Sequence, residues 1–82
     1  MPQERGTILT MSDVQKRLPI LLDYWIEHNR EHEKEFRSWA DKAGSLSTEV
    51  AQQLQEAAAR MAAASNELAK ARQALTKSME RR

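Results

Sequence analysis

The chain has 82 residues, a formal net charge of +1 and no cysteine. This limits it to one domain, removes disulfides, thiolate metal ligands and thiol redox chemistry, and leaves no bulk field to attract nucleic acid or an anionic membrane. Glycine and proline number two each, and Ala, Glu, Gln, Lys, Arg and Leu dominate, so an all-α fold is expected. The longest apolar run, Leu18 to Leu22 with Pro19 inside it, is too short to cross a bilayer, and a soluble cytoplasmic protein is the expectation.

Residues 1–11 carry Pro2 and Gly6 without periodicity and read as a flexible arm whose Ile8 and Leu9 could dock on a partner. Residues 12–82 form the helical-hairpin domain. Ser12 reads as an N-cap with Gln15 at the third helical position, opening a short lead-in helix over 12–18. Pro19 removes an amide donor and crowds the preceding turn, so a kink or a fresh helix start is expected there.

From about 19 to 43 the chain reads as one helix. Leu18, Leu22, Trp25, Asn29, His32, Phe36, Trp39 and Ala43 recur at steps of 4 and 3, an unbroken heptad seam. Gly44 is expected just past the helix end, in the left-handed conformation that closes many helices. Ser45-Leu46-Ser47 makes the turn, with Ser47 capping a second helix over about 48–79 and Glu49 in its first turn. In that helix Val50, Leu54, Ala57, Met61, Ala64, Leu68, Ala71, Leu75 and Ser78 repeat the same spacing. So short a turn makes the two helices antiparallel. Folding about Ser45 is expected to set large rings against small alanines, with His32 near Ala58, Met61 and Ala62 and Trp25 near Ser65 and Asn66.

Leu21, Ile26 and Ala40 flank the seam and widen the apolar arc beyond what one partner helix covers. A chain this short, without disulfides, rarely builds a sufficient core alone. A homodimer forming an antiparallel four-helix bundle is the expected architecture.

Two seam places hold polar residues, Asn29 and His32. Bare polar groups at core positions cost roughly 1–3 kcal/mol each, so these need partners. His28 and His32 lie one helical turn apart, a spacing that can chelate one transition ion such as nickel, zinc or cobalt, with Glu35 as a third ligand. A two-fold axis near this layer would add a second histidine pair. The alternative is structural: His32 as a hydrogen-bonded core residue and Asn29 as a buried register-setting amide. Neither histidine is preceded at three residues by glutamate, so the ferritin-like di-iron pattern is absent. Trp25, Phe36 and Trp39 read as core residues because their spacing is the seam's own, and Met61 as a gap-filling core side chain.

The run Leu22-Asp23-Tyr24-Trp25-Ile26-Glu27-His28-Asn29-Arg30-Glu31-His32, followed by Phe36, Trp39 and Ala40, resembles a small prokaryotic helical-hairpin domain of unassigned activity. The resemblance covers about Leu18 to Met79. It implies an accessory role, at times attached to nickel-handling proteins, with His28 and His32 as the matching positions. No nucleophile with an adjacent base and no glycine-rich phosphate loop stand in the sequence, so no catalytic residue is assigned and an enzyme is not expected. Two functional readings remain: a metal-binding homodimer, or an oligomerisation or adaptor module that docks another helix.

Overall fold

The computed structural model describes residues 10–80. Two helices of equal length make up this part of the chain, α1 over Met11–Ala43 and α2 over Thr48–Glu80, with no strand among the described residues. The antiparallel hairpin expected from the short turn is present. Residues 1–9, including Ile8 and Leu9 of the expected arm, lie outside the described residues.

The start of α1 differs from expectation by two residues. Thr10, not Ser12, is the N-cap, and it forms a reciprocal capping box with Asp13. Asp13 N–H donates to Thr10 Oγ1 at 3.1 Å, while the Thr10 amide and hydroxyl donate to Asp13 Oδ2 at 3.2 and 3.0 Å. An anionic carboxylate accepts these bonds more strongly than the Gln15 amide could, and it also opposes the helix dipole. The Thr10 bonds, the backbone bond foremost, hold the Asp13 carboxyl below its ordinary value of 3.8.

Neither the separate lead-in helix nor the fresh start at Pro19 occurs, for α1 runs through Pro19 without interruption. The ring removes one amide bond, but Val14, Gln15, Leu18 and Leu22 on either side are half-buried or buried against α2 and hold the segment helical. Gly44 is not left-handed either, with φ −57° and ψ −34°. The turn is closed by helix-like bonds instead, from Leu46 N–H and Ser47 N–H to the Ala43 carbonyl at 2.9 and 2.8 Å. Ser47 caps α2 as expected, its Oγ accepting from Val50 N–H at 3.2 Å.

The packing seam is shifted from the expected one at every second position. On α1 the residues turned toward α2 are Leu22, Ile26, Asn29, Glu33, Phe36, Ala40 and Ala43; on α2 they are Ala51, Leu54, Ala58, Met61, Ser65, Leu68, Arg72 and Leu75. Leu22, Phe36, Leu54, Met61, Leu68 and Leu75 thus sit where expected. Trp25 and Trp39 give way to Ile26 and Ala40, and Val50, Ala64 and Ala71 give way to Ala51, Ser65 and Arg72, while His32 and Ala57 stay half-buried beside Glu33 and Ala58. The physical reason is size. Ala40, Ala58 and Ser65 are buried, Ala58 at 0% exposure, and small side chains let the helix axes approach closely. An indole between them would pry the helices apart.

Candidate assembly face and histidine pair

The shift in seam leaves the hairpin with two unlike faces. Phe36 lines one groove with Ala57 and Met61, while Asp23, Ile26 and Arg30 line the opposite one with Ala69 and Arg72. The first face carries Leu21, Trp25, His28, His32, Phe36 and Trp39 from α1. From α2 it carries Val50, Ala57, Met61, Ala64, Leu68 and Ala71. Among the described residues, charged side chains stand only at its rim, where Glu56 and Arg60 pair at 3.7 Å and Glu35 meets His32. Several of the large side chains stand in solvent, Leu21 at 41%, Trp25 at 39% and Trp39 at 59% exposure.

The second face is held by charge. Arg72 Nε donates to Asp23 Oδ1 at 3.0 Å, bridging the helices, and Arg72 Nη1 donates to Thr76 Oγ1 at 2.8 Å. Arg37 is bound to Glu33 at 3.1 Å and reaches Gln55 Oε1 at 3.3 Å. Glu31 and Lys34, 3.9 Å apart, form a helical ion pair on the solvated side of α1. Neither cross-helix contact was among the sequence expectations. The signal was there: Asp23 and Arg72 flank the seam with opposite charge, the place where antiparallel helices set their register.

On the apolar face four rings climb α1 at successive turns. Tyr24 stacks on His28 with centroids 5.3 Å apart, His28 meets His32 edge-on at 4.5 Å, and His32 stacks on Phe36 at 6.0 Å. The two imidazoles converge, with Nε2 of His28 and Nε2 of His32 3.1 Å apart. His32 Nδ1 faces Glu35 Oε1 at 3.2 Å. Glu35 accepts from Nδ1–H of His32, and the protonation of the two rings sets which Nε2 donates across the 3.1 Å contact.

These positions revise two expectations. His32 is partly exposed, not enclosed by alanine between the helices. Glu35 is turned to the far nitrogen of His32, away from the point where the imidazoles converge. Among the described residues no group of three or more His, Asp or Glu is gathered closely enough to hold a metal ion. Asn29 is half-buried in the seam, and Ser65, buried on α2, has an Oγ with no hydrogen-bond partner. No helix among the described residues is long and apolar enough to cross a membrane.

Residues 18–75 match a family model described as a domain of unknown function, DUF8180. The chain belongs to this family. The match takes in both helices and the turn, so the hairpin itself is the DUF8180 unit, as the resemblance to a small domain of unassigned activity implied. Over 43 residues the chain is 44% identical to an uncharacterized protein of Archaeoglobus fulgidus, a stretch covering 52% of this chain and 69% of that one. No solved structure matches it.

Proposed function

We propose that this DUF8180 hairpin is a self-assembly module, in which two copies close their apolar faces on each other to form an antiparallel four-helix bundle. The observation that carries this reading is the sorting of side chains. The cross-helix ion pair lies on one face, whereas Leu21, Trp25, Trp39 and Val50 are exposed on the other.

Three arguments support a second copy as the occupant. The hairpin buries little by itself: among the described residues Leu22, Ala40 and Ala58 are the buried apolar ones, and no large side chain is fully enclosed. A face two helices wide and one 33-residue helix long offers roughly 900 Å², about what each partner contributes to a standard interface. The face is also self-complementary. Trp25, His32 and Trp39 form a bulky row at heptad spacing on α1, and Ala57, Ala64 and Ala71 form a small row at the same spacing on α2. A two-fold axis parallel to the helices lays each bulky row on the partner's alanine row, the large-into-small interdigitation that well-packed bundles use.

Tryptophan fluorescence tests this directly, because Trp25 and Trp39 are the two tryptophans of the chain and both lie on this face. Their emission should be blue-shifted and protected from acrylamide at high protein concentration, then shift to the red on dilution. Emission that is solvent-like and freely quenched at every concentration would contradict the proposal.

A further inference from the structure

From the contact between His28 and His32 we infer that the apolar face is a pH switch, in which protonation of both imidazoles in mild acid drives the two copies apart. The inference rests on the proposed assembly, because it concerns what keeps that interface closed.

The geometry gives the pair room for one added proton but not for two. Two imidazoles have four ring nitrogens. Two of these carry hydrogen when both rings are neutral, three after one proton is added, and all four after a second. With three, one Nε2 still accepts from the other and the 3.1 Å contact holds. The Glu35 carboxylate, 3.2 Å from Nδ1 of His32, offsets that first charge. With four, two N–H donors and two positive charges face each other, and the rings must part. Tyr24 is stacked on His28 and Phe36 on His32, so the rings cannot swing away without disturbing them. Phe36 lines the groove with Ala57 and Met61, and its displacement reaches the assembly face itself.

The neighbouring charges are already matched. On α1, Glu31, one turn beyond His28, pairs with Lys34 at 3.9 Å. On α2, Glu56 and Arg60 line the Phe36 groove and pair with each other at 3.7 Å. Across the proposed interface His32 meets the partner's alanine row, which offers an imidazolium neither a carboxylate nor water. A cation enclosed there is costly, whereas on the separated hairpin His32 is partly exposed and water solvates it. Protons therefore bind the separated hairpins better than the dimer. By linkage, association is at full strength while the rings are neutral and is lost as the pH falls. Imidazole is the side chain that ordinarily gains its charge between about pH 8 and pH 5, which sets the range in which the switch acts.

The experiment is sedimentation of the full chain in EDTA at about pH 7.5 and about pH 5.5, beside circular dichroism for helicity. The dimer dissociation constant should rise at least about tenfold on acidification, with a limit of about a hundredfold per pH unit for one proton taken up by each chain. His28→Gln combined with His32→Gln should stay dimeric at both values. Glu35→Gln, which removes the offsetting carboxylate, should move the dissociation to higher pH. If the double variant fails to fold or to dimerise, His28→Gln alone decides. It leaves one imidazole beside Glu35 and no facing N–H pair, so it should remain a dimer in acid, and its splitting as the natural chain does would contradict the switch. A natural chain that dimerises equally tightly at both values overturns the switch and leaves the assembly standing. Equal acid dissociation of the double variant does the same, since another group would then be titrating. A monomer at the higher pH overturns the assembly, and the switch with it.

Discussion

The two faces of the hairpin are made by the same two helices with the same heptad spacing, yet they do opposite work. On the charged face Asp23, Arg72, Arg37 and Gln55 reach between the helices and fix their register, and what they stabilise is complete within one chain. On the apolar face the tryptophans and the histidine ladder remain uncovered. One-residue steps separate the covered from the open: Ile26 is inward while Trp25 is exposed, and Ala40 is buried while Trp39 is exposed. The lesson is that an apolar arc wider than one neighbour covers is divided by side-chain size. Small residues take the close contact, and the large ones beside them stay exposed.

The largest effect expected from breaking this asymmetry comes from charge on the open face. Trp25→Glu with Trp39→Glu should weaken self-association more than a hundredfold, about 3 kcal/mol or more, and analytical ultracentrifugation would detect it. If the association constant is unchanged, this face is not the interface. A smaller effect of opposite sign is expected inside the seam. Ser65→Ala removes a buried hydroxyl without a partner and should stabilise by about 1 kcal/mol, raising the melting temperature by roughly 4–8 °C; a lower melting temperature would mean the hydroxyl is satisfied.

The helix start supplies a test in pH. The Asp13 carboxyl titrates below its unfolded value, so its contribution is fully present above that value, near 3.8, and is lost as pH falls through the depressed folded value. Asp13→Asn should therefore melt below the natural chain at neutral pH, and the gap should close as the pH falls through the depressed folded value. A gap that persists in acid would place the difference elsewhere. The smallest effect belongs to the charged face: a double-mutant cycle on Asp23 and Arg72 should give a coupling below about 1 kcal/mol, since the pair is partly exposed. A coupling of several kcal/mol would overturn the contrast between the two faces.

Much of the fold was legible in the residues. The helical composition, the turn at 44–47, the Ser47 cap and the antiparallel pairing follow from local chemistry that tertiary structure did not override. The phase of the seam was not legible, because both flanks of the heptad are apolar at the deciding places. Trp25 and Ile26, or Trp39 and Ala40, satisfy a hydropathy pattern equally, and only the close approach allowed by Ala58 and Ser65 separates them. The helix start was missed because two overlapping boxes, Thr10 to Asp13 and Ser12 to Gln15, compete, and the charged one wins. The histidine pair was found from its spacing alone. That Glu35 would turn to the outer nitrogen of His32 depends on rotamers that spacing does not specify.

The central claim is that the aromatic face is closed by a second copy of the chain. Sedimentation equilibrium of the natural sequence in EDTA, at micromolar concentrations, measures this without a label or a variant. The account predicts a mass twice the chain's 9.4 kDa. A folded, helical species that keeps the mass of one chain across that range would contradict it.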